Sequence, residues 1–209
     1  MKHFVFVRHG QSQHHVSDLT GGWTDTPLTE HGEQQAAATG AYLAEFCEGT
    51  RPPILTSDLK RAAMTAAAIG RALDLEPIAD ADLRELNNGD AAGLTEQQAE
   101  AIAIPISEPI IDWQPYPNAE SWGLMTERVW RCMDRIHAAV DDVIIVGHGN
   151  MGVIVIAWWL QLDTRARSGI NFGFDPCSVS EGRINEWGER ALLRLNDVKH
   201  LFVQKFTSM

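Results

Sequence analysis

Short apolar runs alternate along this chain with longer segments whose apolar residues recur at helical spacing. The run from Phe4 to Val7 and the run from Val143 to Val146 are rich in β-branched and aromatic residues, which is typical of buried strands. The pattern predicts strands over residues 3–7, 52–56, 76–79 and 142–146, and a strand meander over residues 178–203. Helices are predicted from Thr29, as N-cap, to about Cys47, and over residues 58–73 (capped by Ser57 or Asp58), 120–140 and 151–162.

Strands that alternate with helices predict a parallel sheet, because each parallel connection needs a crossover that is usually helical. We therefore expect an α/β fold, a three-layer α/β/α sandwich with a mostly parallel central sheet. No internal repeat and no linker-like stretch divides the chain, so residues 1–209 are predicted to form a single domain.

One segment, at about residues 94–122, departs from this alternation. Prolines interrupt it repeatedly, isoleucines recur, and no lysine or arginine occurs between Arg84 and Arg128. We expect a small cap or flap inserted over the sheet, with an apolar and acidic inner lining. Such a lining would repel a doubly phosphorylated acid and would suit a monophosphate with an uncharged or apolar leaving group.

Composition excludes several classes of function. The formal net charge of −11 over 209 residues argues against nucleic acid or an anionic membrane surface as the main partner. The first apolar run is too short for a signal peptide, and no run has the length of a membrane span. Cys47, Cys132 and Cys177 have neither pairing nor metal-ligand spacing, so we expect buried free thiols and a cytoplasmic protein. A homodimer is left open.

Ionisable residues follow the predicted strands. Arg8 and His9 come directly after the first strand, Arg61 lies in the first turn of the second helix, and His148 follows strand 142–146. Glu85 follows a further short element. Open α/β sheets build their sites at the carboxyl ends of strands, so these side chains are expected to converge. Two arginines, two histidines and a carboxylate together would bind phosphate and supply a nucleophile and a proton donor.

The motifs around these residues occur in a familiar order and resemble those of the histidine phosphatase superfamily, which includes phosphoglycerate mutases and related phosphatases. A lone Arg-His-Gly motif is weak evidence for this resemblance, but an ordered set of motifs spread over nearly the whole chain is specific evidence. The motifs are Arg8-His9-Gly10-Gln11-Ser12, Gly22-Trp23-Thr24-Asp25-Thr26-Pro27-Leu28-Thr29, Ser57-Asp58-Leu59-Lys60-Arg61-Ala62, Leu83-Arg84-Glu85-Leu86, Glu120-Ser121, Gly147-His148-Gly149-Asn150 and Asn196-Asp197 with His200-Leu201.

The resemblance implies a phosphomonoester hydrolase that needs no metal or cofactor and acts through a phosphohistidine on His9. Arg8, Arg61 and His148 would bind the phosphoryl group, and Glu85 would be the general acid. Further contacts to a phosphorylated small-molecule substrate are expected from the strand-end loops, with backbone N–H groups donating around Gly10 to Ser12 and at Gly149-Asn150: these residues are Gly10, Gln11, Ser12, His15, Gly22, Gly149 and Asn150. His15 stands where the family commonly has asparagine.

Alternatives remain beside this interpretation. The Gly22-Trp23 loop resembles that of the mutases, so phosphoglycerate mutase-type transfer stays open. A member that binds phosphorylated ligands without catalysis, and a histidine-ligated metal hydrolase, are the other two hypotheses.

Several neighbouring side chains have simpler expected roles. The rings of His14 and His15 are expected at the surface and pointing apart, because adjacent residues rarely point the same way. A structural salt bridge is expected for Arg84, a structural hydrogen bond for His200, a core position for Trp158-Trp159, and either a helix N-terminal charge or a second acid for Glu120.

Overall fold

A mixed sheet lies at the centre of the protein, whose computed structural model describes residues 1–163 and 169–202. In these residues the sheet has six strands in the order β3-β2-β4-β1-β5-β6. β1 to β4 run parallel, whereas β5 is antiparallel to β1 and β6 to β5. The predicted parallel sheet and terminal meander are thus confirmed. The strands are β1 His3–Arg8, β2 Ile54–Thr56, β3 Ile78–Ala79, β4 Asp142–Gly147, β5 Val179–Ile184 and β6 Arg190–Asp197.

Helices α1 Glu30–Phe46 and α2 Lys60–Leu73 cover one face of the sheet, and α4 Trp122–Ala139 and α5 Gly149–Trp159 cover the other. The short helix α3 Glu96–Glu100 lies in the segment at residues 94–122. Thr29 caps α1 as predicted, since its hydroxyl accepts the Gly32 N–H at 3.0 Å. The predicted cap of α2 is wrong. Leu59 occupies the N-cap position without a side-chain bond. The hydroxyl of Ser57 accepts only the N–H of Leu59 itself, at 3.3 Å, and Asp58 accepts from the guanidinium of Arg84. The last predicted helix begins two residues earlier and ends earlier than expected.

Alternation along β1 explains the two apolar layers. Phe4 and Phe6 pack on one face with buried residues of α4 and α5, and Val5 and Val7 pack on the other with α1 and α2. Successive side chains of a strand point to opposite faces, so an uninterrupted apolar run is what a doubly covered strand requires. The three-layer arrangement follows directly. Trp158-Trp159 lies in the first of these layers, as predicted.

The segment at residues 94–122 is irregular, as predicted, with only α3 and one 3-10 turn. Ile104, Ile106 and Ile110 are exposed, with Ile106 at 68%. The other large apolar residues of the segment are half-buried: Ile102, Ile111, Trp113, Tyr116 and Trp122. The apolar inner lining of a cap stays a prediction. In the part of the chain that the structure describes, no helix has both the length and the apolar character needed to cross a bilayer.

Candidate active site

The sheet register brings the predicted catalytic residues to one edge. Arg8 pairs with Gly147 across β1 and β4, so His9 and His148 follow at equivalent positions. Their ring centroids are 5.1 Å apart. Arg61, in the first turn of α2, reaches His9 with its Nε atom 3.1 Å from His9 Nε2. The convergence predicted from the sequence is therefore observed.

The contacts of His9 assign its tautomer. Its Nδ1 lies 2.7 Å from the carbonyl oxygen of Gly10 and donates to it, while Nε2 accepts from Arg61. Burial, then the charges of His148, Arg61 and Arg8, hold the pKa of His9 well below its usual value. The ring is therefore neutral near neutral pH, with the lone pair on Nε2. Nε2 is therefore the ring atom with nucleophilic character.

Arg61 is buried and is oriented by the loop before α1. Its Nη1 donates to the carbonyl of Thr24 at 2.9 Å, and its Nη2 donates to the carbonyl of Gly22 at 2.7 Å. Burial lowers the pKa of Arg61 to about 10, so the group stays charged at neutral pH. Gly22 has φ +59°, and a β-carbon there would lie 2.5 Å from the Asn88 side chain. Only glycine fits this turn.

Buried polar atoms without partners mark where an anion fits. Both ring nitrogens of His148 and the Nε of Arg8 are buried and make no hydrogen bond. Burial is the main cause that holds the pKa of His148 well below its usual value. An unpaired buried donor costs about 1–3 kcal/mol, so native structures rarely keep one without a functional reason. A phosphoryl group beside His9 would supply the missing acceptors.

His15 stacks on His9, with ring centroids 5.4 Å apart and planes inclined by 13°. Its Nδ1 accepts the Ser12 N–H at 3.2 Å, which leaves the ring proton on Nε2. That Nε2 lies 3.0 Å from the Nη2 of Arg8, which is also a donor. An anionic oxygen beside the two nitrogens, rather than between them, would accept from both. Burial, Arg8 and Arg61 lower the pKa of His15 to about 4, which makes it a neutral donor.

The expectation that His14 and His15 point apart is wrong. Their ring centroids are 4.2 Å apart, and His14 is half-buried at 6.0 Å from the ring of His9. A 3-10 turn carries both, and the hydroxyls of Ser12 and Thr26 hold the Nδ1 of His14 at 3.0 and 3.1 Å. Tight turns can place adjacent side chains together, which strand or helix periodicity does not predict. In the described residues no three His, Cys, Asp or Glu side chains form a metal-binding group.

Glu85 is buried beside these groups. One carboxyl oxygen accepts the N–H of Leu86 at 2.8 Å, and the other accepts the N–H of Asn150 at 3.0 Å. Burial outweighs these bonds and the arginine charges and raises the pKa of Glu85. A raised pKa suits a proton donor. Arg84 makes a structural salt bridge as predicted, and its partner is Asp58.

Two residues missed by the sequence analysis position Glu85. Trp23 Nε1 donates to the backbone carbonyl of Glu85 at 2.7 Å, and Arg128 Nη2 donates to the same oxygen at 3.2 Å. Arg128 also binds both carboxyl oxygens of Glu120, at 2.8 and 2.7 Å. Glu120 is thus held in an ion pair, which favours a structural role over that of a second acid. Arg128 is the first cationic residue after the segment without lysine or arginine. That position is the feature of the sequence from which its role could have been predicted.

The backbone donors expected after β1 are already engaged. Gly10 N–H binds the Thr65 hydroxyl at 3.1 Å, Gln11 N–H binds Gln35 at 2.9 Å, and Ser12 N–H binds His15. Asn150 N–H binds Glu85, while Gly149 opens α5 after the N-cap His148. Gly10 is needed for space, because a β-carbon there would lie 2.6 Å from the Gly32 carbonyl oxygen. Side chains therefore supply most donors that face the anion position.

This constellation and fold agree with a family relationship. Residues 4–198 match the histidine phosphatase superfamily (branch 1), and the chain belongs to this family. The predicted class of enzyme, a histidine-type phosphatase, is thereby confirmed, and the phosphohistidine mechanism is general to the family.

Relatives with known names include mutases and phosphatases. The 2,3-bisphosphoglycerate-dependent phosphoglycerate mutase of Sinorhizobium fredii is 37% identical over 161 residues, 70% of this chain and 74% of that protein. The uncharacterized phosphatase PhoE of Bacillus subtilis is 34% identical over 146 residues, 68% of this chain and 69% of that protein. A solved structure of mycobacterial glucosyl-3-phosphoglycerate phosphatase with VO3 is similar at TM-score 0.78 and 27% identity, covering 94% of this chain and 99% of that one.

Proposed function

We propose that this protein is a phosphomonoester hydrolase in which His9 Nε2 takes the phosphoryl group of a small-molecule monophosphate and passes it to water. One observation carries the proposal. A neutral imidazole with its lone pair on Nε2 stands beside buried nitrogens of Arg8 and His148 that have no partner. A site built only for structure would satisfy those atoms within the protein.

In the first step Nε2 of His9 attacks phosphorus, and the bond from phosphorus to the ester oxygen breaks. Arg8, Arg61 and His148 hold the phosphoryl oxygens, with His15 donating from Nε2 where the family commonly has asparagine. Glu85 gives its proton to the departing oxygen, so an alcohol leaves. The raised pKa of Glu85 supports this assignment.

In the second step water replaces the alcohol. The Glu85 carboxylate accepts a proton from water while the water oxygen bonds to phosphorus and the bond from phosphorus to Nε2 breaks. Inorganic phosphate is released, and Glu85 and His9 return to their starting states. Every proton passes through the chain's own residues.

The remaining residues that were predicted to contact the substrate shape the walls of this site. Gly10 and Gly22 allow the close backbone approaches, Gln11 and Ser12 hold neighbouring side chains, and Gly149-Asn150 begins α5 next to Glu85. We also propose a cytoplasmic site of action, which is supported by three buried free cysteines.

A mutase is the competing function, because several relatives carry that name. A mutase returns the phosphoryl group from histidine to a second hydroxyl of a phosphorylated acid instead of giving it to water. Interconversion of 2- and 3-phosphoglycerate without release of phosphate would favour it.

The test is hydrolysis of p-nitrophenyl phosphate in excess chelator by the wild type, by His9→Ala and by His31→Ala, whose imidazole is exposed on α1. We expect turnover in the wild type and in His31→Ala and a loss of at least 10³-fold in His9→Ala. Turnover that persists in His9→Ala would exclude the proposed nucleophile. No turnover by the wild type would exclude general hydrolase activity.

A further inference from the structure

His14 lies close to the nucleophile, although the sequence predicted it at the surface. Its ring centroid is 6.0 Å from that of His9 and 4.2 Å from that of His15, and its side chain is half-buried. A separation of 6.0 Å leaves room for an oxygen about 2.9 Å from a nitrogen of each ring. No step of the proposed hydrolysis uses this imidazole.

Two hydroxyl groups hold one edge of the His14 ring and assign its tautomer. Ser12 Oγ and Thr26 Oγ1 lie 3.0 and 3.1 Å from Nδ1. Among the described residues Nδ1 is the only acceptor that either hydroxyl meets, so a hydroxyl donates and Nδ1 accepts. The ring proton therefore lies on Nε2, which has no hydrogen-bond partner in the part of the chain that the structure describes.

The groups that act on His14 electrostatically are those of the phosphate site. Burial is the largest cause that lowers the pKa of His14 to about 3, and the charge of Arg61 comes next. His15 and Arg8 add to the same effect, and His14 in turn is one of the causes that lower the pKa of His148. At neutral pH the ring is uncharged and offers one N–H donor.

The edge of the ring that carries Nε2 borders the loop that holds Arg61. A β-carbon on Gly21 would lie 3.5 Å from Nε2 of His14. The next residue, Gly22, accepts from Nη2 of Arg61 through its carbonyl at 2.7 Å. The donor edge of His14 and the guanidinium of Arg61 thus lie beside the same two residues. A phosphate held by Arg61 against His9 is bordered by His14.

We infer that His14 is a further substrate-binding residue, which donates from Nε2 to an oxygen of the phosphate group, and that Ser12 and Thr26 orient it. This inference rests on the proposed function, because it adds a residue to the same site. It also gives a role to Ser12, whose buried hydroxyl is engaged with Nδ1 of His14.

Asparagine and glutamine separate the two edges of the ring. The amide of asparagine takes the position of Nδ1, so His14→Asn keeps a partner for the hydroxyls and loses the Nε2 donor. The amide of glutamine takes the position of Nε2, so His14→Gln keeps that donor. Calorimetric titration with inorganic phosphate measures binding without turnover. We expect Kd to rise about 10-fold in His14→Asn, which loses a hydrogen bond to a charged group, and to stay within about threefold in His14→Gln.

The control His31→Asn makes the same replacement at an exposed imidazole on α1 and should leave Kd unchanged. Urea unfolding of each preparation shows that the variants are folded. Wild-type affinity in His14→Asn with a loss in His14→Gln would show that the ring serves only its hydroxyl contacts. Equal losses in the two would show that Nε2 has no specific part. Either result overturns the inference.

Nuclear magnetic resonance of the wild type, labelled with ¹⁵N in its histidines, tests the contact without relying on a variant. The His14 resonances are identified by their absence in His14→Gln. We expect them to show the proton on Nε2, and we expect the Nε2 resonance to shift when inorganic phosphate is added. A proton on Nδ1, or an Nε2 resonance that phosphate does not move, overturns the inference.

Turnover separates this inference from the proposed function. Hydrolysis of p-nitrophenyl phosphate by the wild type reports the hydrolase function by itself. In His14→Asn we expect KM to rise about 10-fold and kcat to change less, because a contact made by the bound substrate is lost. A fall in kcat with KM and phosphate affinity unchanged overturns the binding role. Weaker phosphate binding by His14→Asn, beside a wild type without turnover, would support His14 and exclude the hydrolase.

Discussion

Replacement of Glu85 by glutamine removes a proton and almost no volume. Both carboxyl oxygens of Glu85 accept backbone N–H groups, from Leu86 and Asn150. An amide offers one oxygen, so its NH₂ group must face one of those donors. One unsatisfied buried donor costs about 1–3 kcal/mol, and we expect the free energy of unfolding of Glu85→Gln to fall by about that amount. The fold and the phosphate site should otherwise persist.

The catalytic loss depends on the leaving group. General acid catalysis contributes about 10²–10⁴-fold, or roughly 3–5 kcal/mol of transition-state free energy. An alkyl phosphate such as glycerol 3-phosphate needs that proton, so its kcat/KM should fall by about the full factor. p-Nitrophenolate leaves as a stable anion, and the loss with p-nitrophenyl phosphate should stay within about 10-fold.

The assay measures kcat/KM for both substrates, because that ratio covers the steps through the first phosphoryl transfer. A pre-steady-state burst of p-nitrophenolate in Glu85→Gln is also expected, since water then attacks the phosphohistidine without a base. Urea unfolding of the same preparations gives the loss of stability. Equal losses with the two substrates would refute the acid role of Glu85, and so would a loss below about 10-fold with the alkyl phosphate.

Two further predictions concern the positioning of Glu85 by Arg128 and the pH dependence of stability. Arg128→Gln should lower kcat/KM for alkyl phosphates about 10–100-fold and for p-nitrophenyl phosphate much less, because the carbonyl of Glu85 loses a donor. The control Arg135→Gln removes two partly exposed ion pairs, with Asp80 and Asp82, and should change stability by less than about 2 kcal/mol and activity not at all. Equal effects of the two variants on activity would contradict the positioning role. The free energy of unfolding, measured in urea, should fall as pH drops below about 6.5, because His9 and His148 stay neutral when folded and take up protons when unfolded. The slope is about 1.4 kcal/mol per pH unit for each such histidine, and a flat profile from pH 7.5 to 5 would contradict the lowered pKa values.

The elements that the sequence predicted best are those with one dominant local signal. The apolar run before Arg8 and the run before His148 are long enough and β-branched enough to specify buried strands. Thr29 caps α1 because a hydroxyl before a helical pattern satisfies a free N–H group. The start of α2 was mispredicted because Asp58 has a competing partner, Arg84, which lies far away in sequence.

The features of the site likewise divide into those predicted from the sequence and those that only the structure reveals. That His9, Arg61 and His148 would meet followed from their places after parallel strands, which share one edge of the sheet. The ring stacking of His15 on His9 did not follow, because a tight turn sets side-chain directions that no periodicity describes. Neither did the pairing of Glu120 with Arg128, which only the approach of α4 to the loop of Glu85 creates.

By itself, the sequence determined which ionisable residues follow which strands, and from this it predicted a phosphate site at one edge of the sheet. The tertiary structure alone decided the state of each group, because pKa values and tautomers depend on burial and on partners distant in the chain. His9 is neutral with its lone pair on Nε2 because Arg61 and the carbonyl of Gly10 are where folding puts them. A cavity beside Gly22 is likewise a product of packing, since its walls come from four separate stretches of chain.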